Sequence, residues 1–535
     1  MTISPEKNPF PIAFTGGRIL TMDPKQSHAD VLVIQGGRIV DIGDKCVLKS
    51  YPDVEIIDLC GRILLPAFID AHNHLSFACF VPQWVNLWGL TSKDAIQDAV
   101  EMHVQNHPGR DWIVGFPWID AYCGGVELTR KDLDGFGLDR PVLIMHETWH
   151  KFVASSQALK MASITASTPD PGSGKIIRDS DGEPTGVLLE SAGAPLLQLA
   201  LETNRRRFAD LIEARAEELH AFGVTAIHDP GVTPAAEAAY RLLYEEGRLP
   251  VSVLMMPHGD SLLDNRIENR LNGPSTGLGD ERLRVGPIKL FADGGVPGTV
   301  AFSGKIRGRM YTDGMPRDDF SDELIKAIKR RSQVCVHSLG NVTTDAVLES
   351  FETAIEQSPD GHNILPRVDH VFLLSLAQIT RLASMGGCSA VQPCFLNRAE
   401  RLKRMAFEGY QWFAFNDLVK GGVVVAGSSD DPNGIMDGRD TIKCCVMGAT
   451  MSDDAGNVIF PDQVMPFEQW LWIYTAGSAI AGGQENERGM LRKGLVADLV
   501  ILEGELDPKK PPFVAETWAN GKKVYVKAKL TGANQ

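Results

Sequence analysis

Pro66-Ala67-Phe68-Ile69-Asp70-Ala71-His72-Asn73-His74 is an apolar run that ends in two histidines one residue apart. Alternate side chains of a strand share a face, so His72 and His74 can hold one metal ion between them. Further ligand types stand at the ends of later apolar runs. Lys289 lies in Gly286-Pro287-Ile288-Lys289-Leu290-Phe291-Ala292-Asp293-Gly294, His337 in Val334-Cys335-Val336-His337 and His370 in Val368-Asp369-His370-Val371. Asp430 closes Val423-Val424-Val425-Ala426-Gly427-Ser428-Ser429-Asp430. Six ligand-type residues at five strand ends predict a two-metal hydrolase.

Each of these residues has a plainer reading on its own. Two histidines on a strand are often hydrogen-bonded surface residues, and a single His337 or His370 is more often a satisfied core histidine. Lys289 reads as a strand-end lysine whose amine reaches water, and Ser429-Asp430-Asp431-Pro432 is good turn chemistry. Their joint occurrence, in order, within one alternating pattern favours the metal site.

That pattern runs along most of the chain. Strands are expected at the His72 run, Val224–Asp229, Val251–Met256, the Lys289, His337 and His370 runs, Ser389–Pro393 and the Asp430 run. Helices are expected over Ala235–Glu246, about Ser321–Arg331, about Thr343–Gln357 and Leu376–Met385. Eight strands separated mostly by helices predict an α/β fold, a (β/α)8 TIM barrel. Every candidate ligand then falls at a carboxyl strand end, where such barrels carry their active sites.

Two segments fall outside the barrel. Residues 1–65 contain short β-like pieces broken by Gly and Asp, and residues 488–535 look the same, so one β-sandwich built from both chain ends is expected beside a barrel spanning 66–487. The interval from the His72 strand to the Val224 strand is far longer than a barrel connection, which places an inserted subdomain at about 80–205. Most of its tryptophans read as ordinary core. Phe116, Trp118 and Trp149 are candidate pocket walls, with Asp293 and Gln392 as further candidates to touch substrate.

The strand histidines, the strand lysine, the two later histidines and the final Ser-Asp motif together resemble the amidohydrolase superfamily. Within the insertion, Asp111-Trp112-Ile113-Val114-Gly115, Lys131-Asp132-Leu133-Asp134, Arg140-Pro141-Val142, Thr168-Pro169-Asp170-Pro171 and Asp181-Gly182-Glu183-Pro184-Thr185-Gly186-Val187-Leu188-Leu189-Glu190 look like the branch of N-substituted formamide deformylase and YtcJ-type proteins. The likeness extends from Gly17-Arg18-Ile19 to Trp518-Ala519-Asn520-Gly521-Lys522. It implies that His72 and His74 bind a more buried divalent metal, zinc by expectation, and that His337 and His370 bind a more exposed one. It also implies that Lys289, carboxylated on its amine, bridges the two, with one ion in some relatives. Asp430 would be both metal ligand and general base. Ala67 stands where the family usually has glycine, and Asp431 adds a second acid beside Asp430.

The chemistry is coherent without the family. Amide hydrolysis needs a strong nucleophile near neutral pH, and a divalent cation lowers the pKa of its bound water from ~15.7 towards ~7. Asp430 can take the proton and pass it to the leaving amine. An uncarboxylated Lys289 ammonium would repel cations, whereas a carbamate is an anion with two oxygens.

Composition agrees with a large globular enzyme. The chain has 535 residues, 44% of them hydrophobic, enough for a barrel with satellites. Its 53 basic against 68 acidic residues give a net charge of -15, which argues against nucleic acid or an anionic membrane as partner. Nine cysteines without Cys-x-x-Cys spacing do not suggest a disulfide framework. With no apolar signal core and no spanning run, a cytoplasmic enzyme is expected, acting on a small-molecule amide, with a homodimer left open.

The favoured reading is cleavage of a linear amide, N-acyl or N-formyl, by a metal-dependent hydrolase of C–N bonds. A hydrolase or deaminase acting on a cyclic amide or amidine is the second reading, and Lys289 counts against it because deaminase relatives generally lack the strand lysine. A non-catalytic scaffold is the third. It should have lost ligands, and all six are present.

Overall fold

In the computed structural model, residues 10–528 are described except for 110–111, 121–122, 126, 173, 260–266, 296–297, 318, 359–363 and 434–437. The molecule is built on an α/β barrel-type arrangement. Its strands are β1 (Phe68–Asp70), β2 (Val224–Val232), β3 (Ser252–Pro257), β4 (Ile288–Phe291), β5 (Val334–Ser338), β6 (Arg367–His370), β7 (Cys388–Val391) and β8 (Val424–Gly427). The helices between them are α1 (Arg205–Glu218), α2 (Pro234–Glu245), α3 (Phe320–Lys329), α4 (Asn341–Glu356), α5 (Leu376–Ser384) and α6 (Phe415–Lys420). Apolar stripes explain the helices. In α3, Phe320, Leu324, Ala327 and Ile328 are buried while Asp322, Lys326 and Lys329 stay on the other side, at the spacing of a helix with one wet face. In α5 a Ser375–Gln378 capping box sets the start.

The strands form two arcs rather than one continuous ring. One arc runs Leu283–Val285, β3, β2, β1, and the other runs β4, β5, β6, β7, β8, with parallel pairing throughout. The first seam has a local cause. The fourth strand breaks at Gly286-Pro287, where proline lacks the N–H a ladder requires, so Leu283–Val285 pairs with β3 and β4 pairs with β5. Across that seam the Gly259 N–H donates to the Lys289 carbonyl (3.1 Å). At the other seam, Ala71 N–H donates to the Gly427 carbonyl (3.0 Å) and Asp430 N–H to the His72 carbonyl (2.8 Å). These two contacts hold the carboxyl ends of β1 and β8 side by side, which is what brings His72 to Asp430.

Three further sheets of four or more strands flank the barrel strands. Residues of both chain ends form a six-stranded sheet that includes Ile63–Pro66, Leu499–Glu503 and Phe513–Ala519, while Ile12–Thr15 and Val31–Gln35 belong to a four-stranded one. Phe14, Leu32 and Ile34 from the latter share an apolar cluster with Leu64, Leu499, Ile501 and Trp518 from the former. Between β1 and α1 lies a six-stranded mixed sheet whose strands run from Val85–Asn86 to Pro184–Glu190. A hairpin, Phe302–Ile306 with Arg309–Asp313, was not expected from the sequence. All nine cysteines are free thiols, seven of them buried.

Candidate metal centre

The carboxyl ends of β1, β5, β6 and β8 converge. His72 is fully buried, and its Nδ1 lies 2.7 Å from the Asp369 carboxylate. A carboxylate accepts, so the proton sits on Nδ1 and the Nε2 lone pair is left facing the site. His74 is set the same way, its Nδ1–H donating to the Pro230 carbonyl at 2.8 Å. Both Nε2 atoms meet one oxygen of Asp430, at 3.3 Å from His72 and 3.1 Å from His74. Among the described residues these three are the one group of histidine, cysteine or acidic side chains whose ligand atoms lie close enough together to share a metal ion.

Three acceptors facing one another repel unless a cation lies among them. Neither His72 Nε2 nor Asp430 Oδ1 has a hydrogen-bond donor. The donor set, two imidazole nitrogens and a carboxylate oxygen, is what zinc takes. These residues therefore fit a divalent metal.

The second pair of histidines adjoins the first. The His370 ring centroid lies 4.7 Å from that of His72 and 4.5 Å from that of His337. Gln392 orients His370: its amide oxygen lies 3.0 Å from Nδ1, while its Nε2 donates to Ser428 Oγ at 2.9 Å, which fixes the amide. His337 directs Nε2 at the Gly294 carbonyl (3.3 Å), leaving Nδ1 as its lone pair. Lys289 is wholly enclosed, its Nζ without a hydrogen-bond partner and 4.9 Å from the Phe291 ring centroid.

Electrostatics keep the imidazoles in the ligand form. Burial, helped by the Lys289 ammonium, lowers the pKa of His72 well below the ordinary value, and burial does the same to His337 and takes His370 down to about 3. Burial alone would raise Asp369, yet the Arg367 guanidinium and His72 hold its pKa well below the usual carboxylate range. Arg367 grips it through Nε and Nη2, both at 3.0 Å. Asp369 is thus a fixed anion behind His72, the arrangement that orients metal-binding histidines.

The two adjacent acids part company. Asp431 is bound by Arg215 Nη2 of α1 at 2.9 and 3.0 Å, away from the histidines, while Asp430 sits at a left-handed φ of 56° that turns its carboxylate onto them. Glu190 and Trp149, beside the smaller cavity, and His370, beside the larger, also hold positive φ. Such strain collects where a structure fixes side chains for a task.

Two cavities open from this point. The larger, about 870 Å³, has His72, His74, His337, His370 and Asp430 on its floor and Asp120, His146, Glu147 and Lys151 of the inserted sheet in its walls. The smaller, about 70 Å³, lies beside His74 and is lined by Phe77, Trp149, Phe152, Leu197 and Phe291. Of the expected substrate contacts, Trp149 lines the smaller of these two cavities and the other four line neither. Phe116 packs behind it, ring centroids 5.4 Å apart, and Trp118 is 1% exposed within the core of the insertion. An apolar-rich strand put both side chains on packed faces. Gln392 holds His370, and Asp293 accepts from the N–H groups of Leu339 and Gly340 at the start of α4, with burial pushing its pKa up to about 7. Both side chains are thus engaged with neighbouring groups of the site.

Sequence reasoning missed several members of the site. Asp369 and Arg367 carry no metal spacing, and only the fold brings them to His72 and the Ala71 carbonyl, 297 and 296 positions away along the chain. His150 and Glu190 come from the insertion. They meet through His150 Nδ1 and Glu190 Oε2 at 2.5 Å, and no local pattern links residues 40 positions apart.

Residues 55–525 match the sequence profile of the amidohydrolase family. The chain belongs to that family. It is 28% identical to N-substituted formamide deformylase of Arthrobacter pascens over 507 residues, covering 91% of this chain and 92% of that protein. It is also 28% identical to YtcJ of Bacillus subtilis (strain 168), covering 96% and 99%. An uncharacterised metal-dependent hydrolase from Pyrococcus horikoshii OT3 superposes with a TM-score of 0.73 at 24% identity, over 93% of this amidohydrolase chain and 98% of that one. That likeness is one of fold. No helix among the described residues is long and apolar enough to cross a membrane.

Proposed function

We propose that this amidohydrolase cleaves the C–N bond of a small linear amide, an N-acyl or N-formyl compound, as a hydrolase of non-peptide C–N bonds. The observation that carries the reading is the meeting of His72 Nε2, His74 Nε2 and Asp430 Oδ1 within 3.1–3.3 Å, with His72 Nε2 and Asp430 Oδ1 buried and lacking any hydrogen-bond partner. His72, His74 and Asp430 would hold one divalent ion, zinc by choice of donors, and His337 and His370 a second, with Lys289 between them. A cation bound there supplies an activated water and polarises a carbonyl.

The chain's own residues do the rest. Asp430 accepts the proton of the attacking water and returns it to the leaving nitrogen. Asp369 and Gln392 hold His72 and His370 in single orientations, so no reorganisation is needed as charge develops. Lys289, enclosed and with no hydrogen-bond partner on its Nζ, would serve as a carbamate, an anion whose charge the neighbouring cations would balance. The inserted segment of about 80–205 would act as a cap on the barrel of 66–487, the sandwich of 1–65 with 488–535 as a support, and the enzyme would work in the cytoplasm without nucleic acid or membrane, as a monomer or homodimer. The wide cavity and its aromatic annex favour amides with a bulky substituent over very small ones.

A cyclic-amide hydrolase or deaminase remains the second reading, and Lys289 weighs against it. A non-catalytic scaffold is the third, and the intact ligand set weighs against that. The test is metal analysis of the purified protein together with its hydrolysis of a panel of N-formyl and N-acyl amines, cyclic amides and amidines. The reading requires bound divalent metal and turnover of linear amides that chelator abolishes. Turnover of ring substrates alone, or none with metal bound, overturns it.

A further inference from the structure

The space beside His74 continues away from the metal centre. Phe77, Leu197 and His258 line the small cavity and also a third one, of about 450 Å³, whose walls share no residue with those of the large cavity. His74, His150 and Phe291 are among the residues that the small cavity shares with the large one. The three spaces therefore follow one another, with the metal centre at the first junction. The third is walled by Phe80, Leu201, Phe208, Pro234 and Ala235, and the rings of Phe80 and Phe208 meet at 5.1 Å between centroids. Among the described residues no Lys or Arg lines it, and Glu202, itself exposed, is its one acid. Phe77 is half-buried between the second and third spaces and packs edge-on against Trp149, ring centroids 5.4 Å apart. A ring with open space on two sides can change rotamer without displacing a packed neighbour.

We propose that the small cavity is the neck of an acyl-chain channel, in which the straight chain of an N-acyl amide runs from the metal centre past His74 and Phe77 into the third cavity. The amine part lies in the large cavity. The inference rests on the amide reading and names a substrate class for it. Size selects the chain: the neck's volume of about 70 Å³ is the share of about two water molecules at ~30 Å³ each, which suits a file of methylenes and excludes a ring. Beyond the neck the apolar walls take the chain out of water, a gain of about fourfold in affinity for each methylene buried. Charge assigns the two ends. The leaving nitrogen becomes an ammonium near neutral pH, and the walls of the large cavity, Asp430 and the histidines aside, carry four acidic side chains against three basic ones. An acyl chain ends in a methyl group, which the third cavity can cover. An N-substituent sent down the channel instead would draw its ammonium towards an apolar neck, where charge is opposed.

The experiment measures, by calorimetry on the metal-loaded protein, the binding of the straight-chain hydroxamates from acetohydroxamate to octanohydroxamate. A hydroxamate chelates a divalent cation and carries its chain on the acyl side, so binding reports the channel without any need for turnover. Octanohydroxamate should bind at least about a hundredfold more tightly than acetohydroxamate, given the gain for each buried methylene. Cyclohexylacetohydroxamate has as many carbons but ends in a ring, and should bind at least tenfold more weakly than the straight chain. Ala235→Trp fills the third cavity from an exposed position near the start of α2, far from the ligand set in sequence, and Leu201→Trp fills it from another wall. Either variant should bind acetohydroxamate like the wild type and lose most of the gain from the longer chains. No rise with chain length, binding of none of the probes, equal binding of the ring and the straight chain, or a gain that survives in both variants overturns the proposal. Linear amides turned over by a protein without the chain-length preference would sink this inference and leave the amide reading intact. The preference in a protein that hydrolyses no linear amide would do the reverse.

Discussion

At the scale of single residues, the neighbours Asp430 and Asp431 show how one position changes a role. Asp430 Oδ1 lies against both histidine nitrogens, while Asp431 neutralises Arg215, itself largely buried. Asp430→Asn should lower turnover of any hydrolysed amide by two or more orders of magnitude, a usual size for losing a general base. Asp431→Asn should keep turnover within about tenfold but cost about 1.5–3 kcal/mol of stability, since the buried Arg215 guanidinium keeps Glu218 and loses its other carboxylate partner. Steady-state rates and denaturant midpoints of both variants separate the two. If Asp431→Asn is the inactive one, the base has been assigned to the wrong acid.

His228 gives a pH prediction at the same scale. Its Nδ1 accepts from Arg367 Nη1 at 3.0 Å, so Nε2–H donates to Gln484 Oε1 at 3.1 Å, and burial with the Arg367 charge takes its pKa down to about 3. The unfolded ring titrates near ~6.5. A histidine depressed on folding gives stability that is present above the unfolded value and lost as pH falls from about 6.5 towards 3. Going from pH 7.5 to 5.5 should therefore cost about 1.3 kcal/mol through this ring alone. His228→Asn should be less stable at both pH values but show a smaller loss between them. Urea midpoints at the two pH values measure it, and an unchanged loss would exclude His228 as its source.

At the scale of elements, the two sheets made from the chain ends are joined by a few large side chains. Trp518 is 5% exposed and meets Phe14 edge-on, ring centroids 5.2 Å apart, across the two sheets. Trp518→Ala should cost about 3–5 kcal/mol, the range for emptying such a site, while metal content and turnover per folded molecule stay as they were. Thermal unfolding with metal analysis of the soluble fraction checks both halves of that statement.

The same scale shows what the sequence could disclose. Apolar runs such as Val334–His337 and Val423–Ser428 marked barrel strands because a strand covered on both faces needs no alternation. Their order put five of the six ligand types at or just past carboxyl ends, while Lys289 is the second residue of β4. The break at Gly286-Pro287 was visible as a dipeptide, but which neighbour each half would pair with depends on the whole sheet. The hairpin of residues 302–313 lacked a strong apolar pattern, since its strands are largely half-exposed. His72, His74 and Asp430 were legible as candidates. Gln392 was legible as a candidate but not as the partner of His370. Asp369, His150 and Glu190 meet their partners only across long separations, and Phe116 and Trp118 lie on packed faces, since aromatic character does not say which face of a sheet is wet.

At the scale of the whole molecule, metal and fold are coupled through the three converging acceptors. The sheet seam between β1 and β8 forces the Nε2 atoms of His72 and His74 to within 3.1–3.3 Å of Asp430 Oδ1, and without a cation each lone pair faces another. A ligand that binds the folded state alone stabilises it by RT ln(1 + [L]/Kd), about 4 kcal/mol at a thousandfold excess over Kd. Chelation should therefore lower the thermal midpoint, and added zinc should restore it. Asp430→Asn makes the argument sharper, because a carboxamide nitrogen donates where the carboxylate accepts. The metal-free variant gains a hydrogen bond to His72 or His74 and loses a repulsion, so it should melt at or above the metal-free wild type. With zinc the order reverses, since an amide is a poorer ligand than a carboxylate and much of the metal-dependent rise disappears. Four melting curves, two proteins with and without zinc, are enough. A variant less stable than wild type in both states would mean that Asp430 is held by something other than a shared cation, and the metal centre at the β1–β8 seam would have to be abandoned.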